Sequence, residues 1–326
     1  MTDLDQARRG DERAFRAVVA PYERELRAFC YRMSGSLADT DDLMQDVWLR
    51  AWRGLPTFES RASLRTWLYR VASSACIDRL KGRAARKRAE DVGPAAHSRD
   101  PMPDAGDDWI GPCPPSVYAD DAPSPEARYR AKESVTFAFL AALQMLPPKQ
   151  RATLVGCDVL GFSAEECADM LETTSTSVHS ALARARETVA ARRPQWTPTA
   201  SPAEVRELVD RYVDAWNRGD GKALVALLHD DATMSMPPIP VWLSGARSIV
   251  DALETMVFAS CAPDSFRALH TEANGLPALA LFRQAADGTF APYALHVLAF
   301  DDGKLRSLTA FLDTRVFAPF DLDPVT

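Results

Sequence analysis

Charge along this chain is segregated, and the segregation limits what it can fold into. The net charge of −7 over 326 residues hides four blocks. Residues 1–90 carry a net +5, residues 91–127 a net −7, residues 128–193 a net +2, and residues 194–326 a net −7. Two basic blocks are thus parted by an acidic segment and followed by an acidic one. Such asymmetry says more about partners than the total does, and it points the basic blocks at a polyanion. The length suits two or three domains.

Both basic blocks read as helices. From Ala14 to Met33 the apolar positions Phe15, Val18, Val19, Tyr22, Leu26 and Phe29 fall at helical spacing. Asp39 or Thr40 is placed to cap a second helix, Asp41 to Gly54, with Leu43, Val47, Trp48 and Ala51 on its apolar face. After a loop from Pro56 to Ser63, a long helix is expected from Leu64 to Arg88, ending in the run RLKGRAARKR. In the second block, Phe137, Leu140, Leu143 and Leu146 form one face before a Leu-Pro-Pro break. Lys149 to Leu160 follows, then a Gly161-Phe162 turn. Ser163 with Glu166 three residues on is a capping-box pattern, and a last helix is expected over Ser175 to Arg192.

Residues 91–125 are rich in Pro, Asp, Gly and Ser, without a helical or strand period, and read as a linker without its own core. Trp109 and Tyr118 stand out in it, either packing onto a neighbour or lying in a flexible segment. A second linker, PQWTPTASP, covers Pro194 to Pro202. Beyond it, helices over Val205–Trp216 and Gly221–Leu228 precede alternating segments at Ala232–Met236, Ser265–Asn274, Ala278–Gln284, Tyr293–Asp301 and Leu305–Phe311. Helices followed by a meander of strands indicate an α+β domain.

The six cysteines include no C-x-x-C pair and no His at zinc-finger spacing, so no metal site or cofactor is expected. They read as free thiols, mostly small buried residues. No apolar run is long enough to span a bilayer, and the N-terminus is polar, so no membrane partner and a cytoplasmic location are expected.

Two stretches carry a resemblance. DTDDLMQDVWLRAWRGLPTFESRASLRTWLYRVASSACIDRLKGR, Asp39 to Arg83, resembles region two of extracytoplasmic-function sigma factors. LPPKQRATLVGCDVLGFSAEECADMLETTSTSVHSALARARETV, Leu146 to Val189, resembles region four of that family with its helix-turn-helix. The resemblance implies an alternative sigma factor that binds core RNA polymerase, through the β′ clamp and β flap, and directs transcription initiation at promoter DNA. It leaves room for an anti-sigma factor or a small ligand. Residues 1–90 are then region two, 91–127 the acidic linker, 128–193 region four, 194–202 a linker and 203–326 the last domain.

For core polymerase the resemblance points to Asp41, Asp42, Gln45, Asp46 and Arg50; the bare alternative is a solvated helix face. The −10 element must be captured as melted single-stranded DNA, which needs cations along the backbone and a pocket for an extruded base. Phe58, Ser60 and Arg61 in the loop, and Arg65, Tyr69, Arg70, Ser73 and Ser74 on the next helix, are the candidates. Many relatives carry Asn where this chain has Ser74, so base preference transfers less well than binding mode. Arg79, Lys81, Arg83, Arg86, Lys87 and Arg88 offer phosphate affinity without sequence information. For the −35 element, Thr176, Ser177, His179 and Ser180 are expected in the major groove, with Arg184 and Arg186 on flanking phosphates and Val178 and Leu182 in the core. The acidic linker is either a solvated spacer or a segment threading the polymerase cleft.

The C-terminal stretch VDRYVDAWNRGDGKALVALLHDDATMSMPPIPVWLSGARSIVDAL, Val209 to Leu253, with FRALHTEANGLPALALF and YALHVLAFDDGKLRSLTAFLD after it, resembles the SnoaL-like group of the nuclear-transport-factor-2-like superfamily, a cone with a pocket. Asp231, Trp242, Arg247, His270 and His296 are candidates to line it. Fold does not grant activity. The expected chain is therefore multidomain, with two all-α domains and an α+β cone, and not an enzyme. The cone regulates the sigma factor; the alternative is a bifunctional protein whose cone is an isomerase or cyclase.

Overall fold

The computed structural model describes residues 2–58, 63–97, 100, 102–106, 108–118, 132–191, 202–261 and 264–322. The chain divides into two compact units, Met1–Arg86 with Ser116–Arg193, and Lys87–Pro115 with Pro194–Thr326.

The first unit is helical. Its elements are α1 (Asp3–Arg8), α2 (Glu12–Val19), α3 (Glu23–Ser34), α4 (Leu37–Gly54), α5 (Leu64–Leu80), α6 (Phe137–Gln144), α7 (Pro148–Leu154), α8 (Ala164–Met170) and α9 (Ser175–Ala190). The single helix expected from Ala14 to Met33 is divided by a 3-10 turn at Ala20–Tyr22, because Pro21 lacks the N–H that would continue it. Ser36, rather than Asp39 or Thr40, caps α4, its side chain accepting from the Asp39 N–H. The α5 helix stops at Leu80, where Lys81 turns extended, so the basic run is not helical as expected. The capping box at Ser163 and Glu166 is present, and Thr174 caps α9.

Regions two and four share one core. Arg151 on α7 is 4% exposed. Its guanidinium donates to the Met33 carbonyl of α3, to Gln144 Oε1 at 2.8 Å, and to the Gln144 and Leu146 carbonyls. Burial pushes its pKa down to about 10. Arg32 donates to Ser134 Oγ at 3.0 Å. The two regions, expected as separate domains, are therefore joined in this unit by buried hydrogen bonds as well as by apolar packing, although Arg151 Nε and Gln144 Nε2 are buried without a partner.

The second unit is α+β. Helices α10 (Pro202–Arg218), α11 (Gly221–Leu227) and α12 (Ala246–Met256) pack on a sheet of β1 (Leu228–Ser235), β2 (Trp242–Ser244), β3 (Phe266–Ala273), β4 (Leu276–Gln284), β5 (Phe290–Asp301) and β6 (Lys304–Phe311). The strand order is β2-β1-β6-β5-β4-β3, with β1 parallel to β6 and the other pairs antiparallel. Register shifts interrupt the strand ladders in β1, β4 and β5. Asn274 and Gly275 both have positive φ, forming the two-residue turn that sets the β3–β4 register.

Residues 87–115, expected in large part to be a linker without a core, belong to this unit. Ala96 N–H donates to the Trp242 carbonyl at 2.8 Å, and Trp242 Nε1 returns a bond to the Gly93 carbonyl at 2.9 Å. Gly106 donates to Pro238. Cys113 N–H donates to Asn274 Oδ1 at 2.8 Å, and Asn274 N–H donates to the Cys113 carbonyl. Ile110 and Cys113 are buried. Spaced backbone bonds of this kind leave no periodic pattern in a sequence.

Candidate nucleic-acid interface

The proposed polymerase face lies on α4. Asp41, Asp42 and Gln45 are exposed, and Leu49 beside them is a large apolar side chain 47% exposed. Positions 41, 45 and 49 are one helical turn apart and form a stripe. The charged members are already paired. Asp41 bonds Arg27, Asp42 bonds Arg79, and Arg50 bridges Asp46 and Asp78 at 2.9 Å each. Leu49 went unremarked in the sequence; only its break from the surrounding polar face marks it.

The basic residues after α5 fold back on α4. Arg83 and Arg86 reach Asp39 at 3.1 and 2.7 Å. Burial opposes ionisation of Asp39, but the Arg86 and Arg83 guanidiniums outweigh it and hold the carboxyl below its ordinary value. Arg79, Arg83 and Arg86, expected on phosphates, are thus paired with Asp39 and Asp42 within the protein.

The −10 candidates fall into four groups, one of them Arg65 alone, which is half-buried. Ser60 and Arg61 lie outside the described residues. Arg70 and Ser74 are exposed on α5. Phe58, Tyr69 and Ser73, expected to face DNA, are buried in this arrangement. Phe58 packs on Trp67 with ring centroids 5.3 Å apart. Tyr69 is fully buried, its hydroxyl donating to Glu25 at 3.2 Å. Arg65 donates to Glu25 from Nε at 2.9 Å and Nη2 at 2.8 Å. Its guanidinium also lies 4.6 Å from the ring of Phe162, in the turn before α8. The one-turn spacing of Arg65, Tyr69 and Ser73 identified a shared face but not its direction.

The −35 candidates lie on α9. Thr176, Ser177, His179 and Ser180 are exposed at the N-terminal end of α9, while Val178 and Leu182 are buried. Thr174 Oγ1 accepts from the Ser177 N–H and donates to Ser177 Oγ. Arg184 is exposed. Arg186, expected on a flanking phosphate, is held by Asp158 through Nε at 2.9 Å and Nη2 at 2.6 Å.

The family model of Sigma-70 region 2 matches residues 18–86, that of Sigma-70 region 4 matches residues 136–189, and that of the SnoaL-like domain matches residues 209–308. The ECF RNA polymerase sigma factor SigG of Mycobacterium tuberculosis is 39% identical over 325 residues, covering 97% of this chain and 85% of the relative. The chain belongs to the extracytoplasmic-function sigma factors. SigJ of the same organism is 31% identical over 212 residues, 65% of this sigma factor and 61% of SigJ. The crystal structure of SigJ shares the fold, with a TM-score of 0.59 at 23% identity over 94% of this chain and all of that one. As a member of this family the sigma factor binds core RNA polymerase and directs transcription initiation at promoter DNA. No helix among the described residues is long and apolar enough to cross a membrane.

Of the five pocket candidates in the SnoaL-like domain of this sigma factor, only His296 is interior, at 1% exposure. Asp231 is exposed and paired with Arg306 and His229. Arg247 is exposed. His270 stands on the surface, 3.7 Å from Asp210. Trp242, on edge strand β2, binds Gly93 rather than lining an interior. Around His296 are two residues the sequence reading passed over. Tyr212 Oη is 3.0 Å from His296 Nδ1, and the Trp216 ring lies edge-on, centroids 4.8 Å apart. Burial pushes the His296 pKa down to about 3, so the imidazole is neutral. The signal available was the spacing of Tyr212 and Trp216 on α10, which reads equally well as core.

Proposed function

We propose that the free sigma factor is held closed, with region four covering the −10 face of region two. The observation that carries this is Phe162, whose ring packs on Tyr69 and under Arg65. Both belong to the helix expected to capture melted DNA. Opening on core polymerase exposes Arg65 beside Arg70 and Ser74, while the end of α9, already exposed, is set at the spacing the −35 element requires. Thr176, Ser177, His179 and Ser180 then read base edges, and Arg184 supplies a phosphate contact. Asp41, Asp42, Gln45, Asp46 and Arg50, with Leu49, form the polymerase face, where an apolar centre rimmed by charge suits a protein partner.

The SnoaL-like domain acts as a regulator in this reading. It binds residues 87–115, which run from region two towards region four, through Trp242, Pro238 and Asn274. A segment bound there is withheld from the polymerase cleft. Linker and domain are both acidic, so hydrogen bonds and the packing of Ala96 on the domain core hold them together against charge. The alternative of a catalytic domain rests on the Tyr212–His296 pair. That histidine is enclosed and neutral, a structural arrangement unless a substrate reaches it.

The test is binding of the full chain, without core polymerase, to a single-stranded −10 oligonucleotide. Phe162→Ala should raise affinity at least severalfold. Equal affinities for wild type and variant would contradict the closed state. Turnover of candidate small molecules by the full chain, abolished by His296→Gln, would favour the catalytic alternative.

A further inference from the structure

Two cysteines in region four meet across the turn that carries Phe162. Cys157 lies in the π-helical turn Val155–Val159 at the end of α7, and Cys167 lies in α8. Their sulfurs are 3.2 Å apart. Cys167 is fully buried, while Cys157 is part-exposed. Gly156 makes the approach feasible, since a Cβ there would stand 2.8 Å from the Cys167 sulfur. The pair closes the base of a loop, Asp158 to Glu166, with Gly161-Phe162 at its tip. Phe162 is 6% exposed and packs on Tyr69 and Arg65.

We propose that Cys157 and Cys167 are a redox-active dithiol, oxidised by hydroperoxides to a disulfide that braces the Phe162 turn. The asymmetry of the two thiols assigns their roles. The contact with Cys167, aided by the Arg186 guanidinium, lowers the pKa of Cys157 despite burial and Asp158. The same contact, with burial, raises that of Cys167. Cys157, the part-exposed sulfur, is therefore the one that solvent-borne peroxide meets, and Cys167 the enclosed partner that resolves it.

The chemistry balances with hydrogen peroxide as oxidant. The Cys157 thiolate attacks one peroxide oxygen, the O–O bond breaks, and the departing hydroxide takes a proton to become water. Cys157 is left as a sulfenic acid. The Cys167 sulfur, giving up its proton, attacks the Cys157 sulfur, and the S–O bond breaks to release a second water. Two thiols and one peroxide give one disulfide and two waters. A dithiol reductant returns the two electrons and two protons.

The bond needs the sulfurs to close from 3.2 Å to about 2.05 Å, a movement within reach of side-chain rotation and a small backbone shift. It cross-links the flanks of the turn, so Phe162 loses freedom to leave Tyr69. A second pair supplies an internal comparison. Cys30 and Cys76 are 3.8 Å apart and both fully buried, with no exposed sulfur for peroxide to reach. Neither pair has C-x-x-C spacing, so only the fold brings the sulfurs together. The redox step does not depend on the closed-state reading, and its test is separable from it.

The experiment treats the full chain with one equivalent of hydrogen peroxide, blocks remaining thiols, and maps cross-links by mass spectrometry of a non-reducing digest. The expected result is a Cys157–Cys167 disulfide, reversed by dithiothreitol, with slowed hydrogen exchange across residues 158–166. Cys157→Ser should lose the cross-link, and Cys167→Ser should accumulate a sulfenic acid on Cys157 that dimedone traps. Retention of both thiols, or cross-linking of Cys30 to Cys76 first, would overturn the proposal. So would over-oxidation of Cys157 in the wild-type chain, or a mapped disulfide with unchanged exchange. These readouts on the wild-type chain suffice if either variant fails to fold.

Discussion

Phe162 of region four stands edge-on to Tyr69 of region two, with ring centroids 5.0 Å apart. An aromatic pair of this geometry adds about 1 kcal/mol beyond the area it buries. Replacing Phe162 with Ala removes the pair and leaves a void, at a cost of about 3 kcal/mol. The expected outcome is a lower denaturation midpoint for the helical unit and tighter binding of the free chain to single-stranded −10 DNA. Denaturant titration and fluorescence anisotropy check the two effects separately. A stability loss with no gain in DNA binding would make the contact purely structural.

Arg151 is buried without a carboxylate partner, its charge held by carbonyl oxygens of α3 and α6 and by Gln144. Arg151→Met leaves those acceptors unsatisfied, and the expected loss is about 3 kcal/mol. Arg151→Lys should recover little, because an ammonium cannot reproduce the planar fork. Urea unfolding of the three proteins measures it; equal midpoints would show that water replaces the guanidinium.

How far the sequence disclosed this arrangement differs along the chain. The capping box at Ser163 and Glu166 and the exposed end of α9 were readable, because local hydrogen bonding and period fix them. The strands of the second unit were readable from alternation and turn residues. Strand β2 and helix α12 were missed, the first being only three residues long. The direction of the Arg65–Tyr69–Ser73 face was not readable, since Glu25, forty residues earlier, and Phe162, far later, decide it. Nor was the docking of residues 87–115, which uses backbone groups that every residue carries.

The −35 surface separates positioning from reading. Arg184→Ala should weaken promoter binding by the assembled holoenzyme about fivefold across all −35 sequences and reduce its salt dependence. Ser177→Ala or His179→Ala should instead change which −35 bases are preferred. Arg186→Ala should have a smaller effect on salt dependence than Arg184→Ala, because Asp158 already holds Arg186. Affinities across a −35 mutant series at two salt concentrations resolve these cases. Identical profiles for the Arg184 and Ser177 variants would sink the assignment.

Like charge in linker and SnoaL-like domain gives a salt test. Screening weakens repulsion, so hydrogen exchange of residues 87–115 should slow or stay constant as salt rises. Asn274→Ala, which removes the acceptor for Cys113 N–H, should speed exchange around Cys113. Faster wild-type exchange in high salt would mean that ion pairs hold the segment.

His296 makes the same domain acid-sensitive. Its folded pKa, about 3, lies below the ordinary histidine value. Between those values the unfolded chain binds a proton that the folded domain does not, so stability is full above pH 6.5 and falls as pH drops towards 3. The loss from pH 6.5 to 5 is about 2 kcal/mol. His296→Gln should remove that part of the slope in thermal unfolding; an unchanged slope would assign it to other groups.

The closed state itself is tested most directly by distance. Bio-orthogonal labels at the exposed positions Glu23 on α3 and Glu165 on α8 report the separation of regions two and four by single-molecule energy transfer. The full chain alone should give one high-transfer population, replaced by a low-transfer population when core polymerase is added. A free chain already in the low-transfer state, or one whose transfer core polymerase leaves unchanged, would contradict the account.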